Sequence, residues 1–139
     1  MKYYAVIDTN VLVSALLKWN SVPGSILQLV IDGDIVPIVN EEILEEYKDV
    51  LFRPKFKLNN GIIERLLYRI SEAGIFLVGE SMDVDLPDED DRVFYEVVME
   101  ARKDVESYLV AGNLRHFPIE PFIVTPRQML NIILADNNE

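Results

Sequence analysis

Tyr3-Tyr4-Ala5-Val6-Ile7-Asp8-Thr9-Asn10-Val11-Leu12-Val13-Ser14-Ala15-Leu16-Leu17 decides the fold class of this chain. The unbroken apolar run from Tyr3 to Ile7 has neither a helical stripe nor polar alternation, which is the pattern of a strand buried on both faces. Asp8 ends that run. From Thr9 to Leu17 the apolar positions Val11, Leu12, Ala15 and Leu16 fall on one helical face. A strand that turns at once into a helix is the first half of a βαβ unit, whose strands run parallel.

The alternation repeats outward from there. A second helix carries Pro23 in its first turn and Ile26, Leu27, Val30 and Ile31 on its inner face, and stops at Gly33. Ile35 to Val39 reads as the second strand. Asn40 is positioned to cap a helix from Glu41 to Phe52, with acids in the first turn where the dipole favours them and Arg53-Pro54 as the stop. Residues 61 to 73 read as a helix closed by Gly74, Ile75 to Val78 as a strand, and Gly79 to Asp91 as a polar, acidic connection. An amphipathic helix from Asp91 to Lys103 precedes strands at Tyr108 to Ala111 and Phe122 to Val124. Thr125-Pro126-Arg127-Gln128 opens the last helix with a cap, a proline and a capping-box glutamine. The expectation is one α/β domain over residues 1–139, a Rossmann-like α/β/α sandwich on a mainly parallel sheet, with a short polar end at Asp136-Asn137-Asn138-Glu139.

Half of the 139 residues are apolar, enough for a core, and 13 Lys plus Arg against 24 Asp plus Glu leave a net charge of -11. That charge excludes general attraction to nucleic acid or anionic membrane, so a phosphate-bearing partner must be captured locally. With no cysteine and the single histidine His116, disulfide scaffolds, thiolate zinc sites, cysteine nucleophiles and multi-histidine metal centres are excluded. Asp8 falls too early for a signal-peptide core and no later apolar stretch is long enough to span a bilayer, so a soluble, cytoplasmic protein is expected.

Parallel α/β sheets place their sites at the carboxyl ends of the strands, which directs attention to the acids there. Asp8 ends the first strand beside the small polar side chains Thr9 and Asn10, although an aspartate at such a turn also serves simply as a helix cap. In the helix after strand two, Glu46 lies beside Ile43, Tyr47 and Val50, while Glu42, Glu45 and Asp49 share the opposite side. Period alone separates Glu46 from Glu45, and a rim position with the charge in water is the alternative for Glu46. The run from Asp83 to Asp91 holds six acids in nine residues, ordinarily a solvated loop. Asp91 stands apart because it opens a helix whose first inward residue is Phe94, with Asp88 or Asp90 as its helper. Strand four ends at Ala111-Gly112-Asn113, an amide where an acid is expected.

Three carboxylates and an amide at one sheet edge call for a divalent cation. Oxygen ligands select hard ions, Mg²⁺ or Mn²⁺. Such an ion lowers the pKa of a bound water and neutralises a phosphodiester under in-line attack, chemistry that needs no protein nucleophile.

At these residues the chain resembles the PIN-domain nucleases. Val6-Ile7-Asp8-Thr9-Asn10-Val11-Leu12 is similar to the family's opening motif, and Glu42-Ile43-Leu44-Glu45-Glu46-Tyr47 with Val50-Leu51-Phe52-Arg53-Pro54-Lys55-Phe56 to its second. Asp88-Glu89-Asp90-Asp91-Arg92-Val93-Phe94, Tyr108-Leu109-Val110-Ala111-Gly112-Asn113 with His116-Phe117-Pro118, and Ile123-Val124-Thr125-Pro126 complete an ordered set covering nearly the whole chain. The branch it resembles is that of the VapC-like toxin components of toxin–antitoxin pairs. The resemblance implies Mg²⁺- or Mn²⁺-dependent cleavage of RNA, homodimers and inhibition by a small antitoxin protein. Carried over by position, Asp8, Glu46 and Asp91 match the metal-binding acids, and Thr9 and Asn10 the polar support. Asn113 departs from the aspartate of many members, which implies a less tightly bound second ion, or weak or absent activity.

For the RNA itself, Arg53, Lys55 and Lys57 beside Phe56 form a basic and aromatic cluster suited to a phosphate backbone and a base, or else a helix end anchored by its phenylalanine. Arg115 and His116 follow Asn113 directly and are further candidates, His116 being equally a surface or capping residue. Trp19 fits a dimer face, a base or a loop anchor. A non-catalytic PIN-like module binding RNA or a protein is the principal alternative. A dehalogenase-type phosphatase lacks its second aspartate at Asn10, and a receiver domain lacks its strand-end lysine.

Overall fold

The apolar runs become five strands, every adjacent pair of which is parallel. In the computed structural model, which describes residues 2–137, the chain passes through β1 (Tyr3–Ile7), α1 (Thr9–Leu17), α2 (Val22–Asp32), β2 (Ile35–Val39), α3 (Glu41–Leu51) and α4 (Asn60–Ala73). It continues through β3 (Ile75–Phe76), α5 (Arg92–Ala101), β4 (Ser107–Val110), β5 (Ile123–Val124) and α6 (Pro126–Asn137), with short 3-10 turns at Pro54–Phe56, Glu89–Asp91 and Leu114–His116. The strand order β3-β2-β1-β4-β5 places β1 at the centre, where the winding reverses direction. In such sheets the crevice at the reversal is the natural ligand site.

Helices cover both faces, α2 packing with α1 and α6 and α5 lying across β1, β2 and β4. The expected three-layer α/β/α arrangement is therefore present. Ala5, Val6, Ile7, Val39, Leu109 and Val110 are buried in the sheet, as strands covered on both faces must be. Side chains satisfy the orphan amides at four helix starts. Ser21 accepts from the Gly24 amide (3.2 Å), Asn40 from Ile43 (2.9 Å) and Asn59 from Ile62 (3.1 Å). Thr125 and Gln128 exchange hydrogen bonds of 3.1 and 2.9 Å in the expected capping box. Gly33 ends α2 with φ 88, the left-handed conformation that favours glycine.

α3 ends at Leu51 and α5 at Ala101, β4 runs Ser107–Val110 and β5 opens at Ile123, each one or two residues from the sequence reading, and four further differences have a local reason. β3 ends at Phe76 instead of Val78, because the Leu77 carbonyl is taken by the Asn40 side-chain amide at 3.2 Å and the chain leaves the ladder. Asp91 closes a 3-10 turn and α5 begins at Arg92; Asp88 caps that turn through the Asp90 amide at 3.0 Å. α4 starts one residue early, on the Asn59 cap. Asp136 and Asn137 belong to α6 and not to a loose polar end, Asp136 accepting a 2.7 Å hydrogen bond from the Tyr3 hydroxyl; Asn138 and Glu139 lie outside the described residues. No helix among the described residues is long and apolar enough to cross a membrane.

Candidate active site

Asp8 follows β1 directly, and its backbone N–H donates to the Val110 carbonyl at 2.9 Å, locking the β1 and β4 ends together. It stands at the N-cap of α1 yet makes no capping hydrogen bond. The side chain is 3% exposed and its Oδ2 has no hydrogen-bond partner. An ionised carboxylate so placed is costly. Burial above all, then the charge of Asp91 with a smaller share from Glu46, pushes the Asp8 carboxyl up to about 6 from 3.8, against the pull of the Asn10 amide and of His116.

Asp91 arrives from the start of α5, is also buried, and likewise leaves Oδ2 without a hydrogen bond. Its carboxyl is raised by burial and by the charges of Asp88 and Glu46, while His116 acts in the opposite direction. His116 Nδ1 lies 3.2 Å from Asp91 Oδ2, a close contact without hydrogen-bond alignment. Glu46, half-buried on α3, accepts a 2.7 Å hydrogen bond from the buried Thr9 hydroxyl, which ties α3 to the β1–α1 turn. Glu45 is exposed. A cleft of about 340 Å³ opens beside Glu46, lined also by Glu42, Glu89, Asp90, Arg92 and Glu96. A larger cavity of about 510 Å³, at the β3 edge among Asn40, Phe76, Leu77, Val78 and Val97, holds neither Asp8 nor Asp91.

Other candidate residues stand further out. Asn113 is exposed, and its Oδ1 accepts from the Arg115 amide at 3.0 Å, capping the turn at Leu114–His116. Gly112 sits against Asn10, so the β4 end does reach the mouth of the site. Arg53 pairs with Asp49 at 3.1 Å and Lys55 lies 5.1 Å from the Phe56 ring centroid, while Lys57 occupies a left-handed turn with φ 53. Arg53 lies two residues past the end of α3, the helix that carries Glu46. His116, a candidate for RNA contact by sequence, faces Asp91 instead. Sequence reading missed Tyr47 as a site residue, because its place in the apolar stripe of α3 hides a hydroxyl that donates to the Ile7 carbonyl.

Among the described residues no group of three or more His, Asp or Glu side chains is gathered at metal-ligating distance. The donor chemistry nevertheless fits a hard divalent ion, since the two unpartnered buried atoms are carboxylate oxygens that repel one another. Buried acids at the reversal point of a parallel sheet, with no thiolate and a single imidazole, define an α/β domain with an acidic, oxygen-donor site.

The comparisons with known proteins carry this to a family. Residues 4–115 match the family model of the PIN domain, and the chain belongs to that family. It is 32% identical over 105 residues to "Uncharacterized protein MJ1680" of Methanocaldococcus jannaschii, an alignment covering 73% of this chain and 68% of that protein. No solved structure matches the chain significantly. PIN domains are generally nucleases that use divalent metals.

Proposed function

We propose that the protein is a metal-dependent endoribonuclease, the toxin of a toxin–antitoxin pair. The observation that carries the reading is the pair of buried carboxylates Asp8 and Asp91 at the carboxyl end of the central strand, Asp8 Oδ2 without a partner and Asp91 Oδ2 facing the His116 imidazole at 3.2 Å. Asp8, Asp91 and Glu46 would hold Mg²⁺ or Mn²⁺, and such an ion supplies an activated water and neutralises phosphodiester oxygens. Thr9 fixes the Glu46 carboxylate, and the His116 imidazole stands 3.2 Å from Asp91. Arg53, Lys55, Lys57 and Arg115 are exposed cations available to the RNA backbone. A small antitoxin or a second copy of the chain has an apolar groove to cover between Leu16, Trp19, Ile31, Ile62 and Leu66.

A second reading, a weakly active or inactive module that binds RNA or protein, is favoured by Asn113, which carries no charge and spends its oxygen on the Arg115 amide. One experiment separates the two. A labelled RNA pool is incubated with Mg²⁺, Mn²⁺ or EDTA, beside a folded Asp8→Asn variant. Cleavage that needs metal and vanishes in Asp8→Asn is the expected result. Binding of RNA without cleavage would overturn the enzyme reading in favour of the module, with Asn113→Asp as the rescue to try.

A further inference from the structure

The acids of the site stand on three separate elements, the end of β1, the middle of α3 and the turn before α5, and their spacing depends on what ties those elements together. Tyr47 stands on the second, bonds to the first and reaches the third only through Phe94 of α5, three residues after Asp91. It neighbours Glu46 on α3, and its ring, 1% exposed, lies tilted against Phe94 of α5 with centroids 6.2 Å apart. Its hydroxyl donates to the carbonyl of Ile7, the residue before Asp8.

That last bond fills a gap in the sheet. β1 pairs with β2 as Tyr3↔Ile35, Tyr4↔Val36 and Ala5↔Pro37 and stops there, whereas its pairing with β4 continues to Ile7↔Val110. The peptide unit joining Ile7 to Asp8 thus has its N–H held on the β4 side by the Val110 carbonyl, and its carbonyl on the other side by Tyr47 instead of by a strand. A buried carbonyl left unpaired costs free energy, so the hydroxyl both satisfies it and fixes the plane of the peptide from which the Asp8 side chain springs.

Resting on the reading of Asp8, Glu46 and Asp91 as a cation site, we propose that Tyr47 is a positioning residue: its hydroxyl and ring set the spacing of the three acids and so the affinity of the site for Mg²⁺ or Mn²⁺. It acts through backbone and packing and touches neither ion nor substrate. Tyr47→Phe keeps the ring and removes only the hydroxyl. A matched control exists on the opposite end of the same strand, where the Tyr3 hydroxyl donates to Asp136 at 2.7 Å; Tyr3→Phe removes an equivalent tertiary hydrogen bond away from the acids.

Mn²⁺ binding to the full chain is followed by electron paramagnetic resonance, with thermal melting of each variant in EDTA. The expected result is an affinity about tenfold lower for Tyr47→Phe, in the range found when outer-shell partners of metal ligands are removed. Tyr3→Phe should stay near wild type even where its melting temperature falls as much. In RNA cleavage Tyr47→Phe should lower kcat with KM little changed. Wild-type affinity in Tyr47→Phe, or an equal loss in Tyr3→Phe, overturns the positioning role while leaving the cation site standing. Failure of the wild type to bind Mn²⁺ overturns both. Should Tyr47→Phe not fold, Phe94→Leu replaces it by loosening the ring from α5; reduced Mn²⁺ affinity supports the role and unchanged affinity overturns it.

Discussion

Replacing Asp8 by asparagine should make the metal-free protein more stable at neutral pH, although it removes a residue at the heart of the site. The Asp8 carboxyl is pushed up from 3.8 to about 6 by burial and then by the neighbouring Asp91 charge. A carboxyl whose pKa is raised on folding binds its proton more tightly in the folded chain than in the unfolded one. Its contribution favours the fold below pH 4 and is lost as pH rises from about 4 through about 6. A shift of this size corresponds to about 3 kcal/mol once both states are ionised. Asp8→Asn has no such titration. In EDTA the two proteins should melt alike near pH 4, and the variant should melt higher at pH 7, by roughly 10 °C at about 3 °C per kcal/mol for a chain of this size. Mg²⁺ should then raise the wild-type melting temperature and leave the variant unmoved. Differential scanning calorimetry across pH 4 to 8, with and without metal, measures all of this. A variant that melts at or below wild type at pH 7 in EDTA would refute the view that Asp8 is an uncompensated buried charge.

Thr9→Val removes the 2.7 Å bond to Glu46 and should cost about 1 kcal/mol in urea unfolding, with a fall in kcat for RNA cleavage and little change in KM. Arg92 forks onto the Met82 and Val84 carbonyls and both oxygens of Glu89, so Arg92→Met should release the segment before α5 and create new limited-proteolysis cuts between residues 80 and 88. Lys55→Ala with Lys57→Ala should weaken RNA binding and flatten its salt dependence by a slope of up to about 2, read from filter binding at several ionic strengths.

Most of the fold was legible because its signals are local. The buried run Tyr3–Ile7, the caps Asn40 and Thr125, and Gly33 each act over a few residues, and each stands where its chemistry places it. β3 was drawn too long because its end is decided by Asn40, a residue distant in sequence whose amide takes the Leu77 carbonyl. The polar composition of Asp136 and Asn137 suggested a frayed end, and the distant Tyr3 hydroxyl holds Asp136 in α6. The acids at strand ends could be singled out, since burial of a charge at a sheet edge follows from topology. The contacts of His116 and Tyr47 could not, because each depends on a partner from another element, Asp91 for one and the Ile7 carbonyl for the other.

The acidity of the whole chain and the design of the site fit together once burial is considered. Asp8 and Asp91 are both buried and repel one another, and no lysine or arginine bonds to either; the His116 imidazole lies 3.2 Å from Asp91. Arginine does stand close by, as Arg92, but its guanidinium bonds to Glu89 and to the Met82 and Val84 carbonyls and to neither Asp8 nor Asp91. A resident cation from the chain would stabilise the metal-free fold and compete with any ion for the same oxygens. Leaving the carboxylates uncompensated costs about 3 kcal/mol at Asp8 alone, and at neutral pH that free energy is recovered when a cation enters. The metal-free protein is thus held in a state that an ion improves and a protonated or amide side chain imitates, which is why pH, Mg²⁺ and Asp8→Asn should all move its stability through one site.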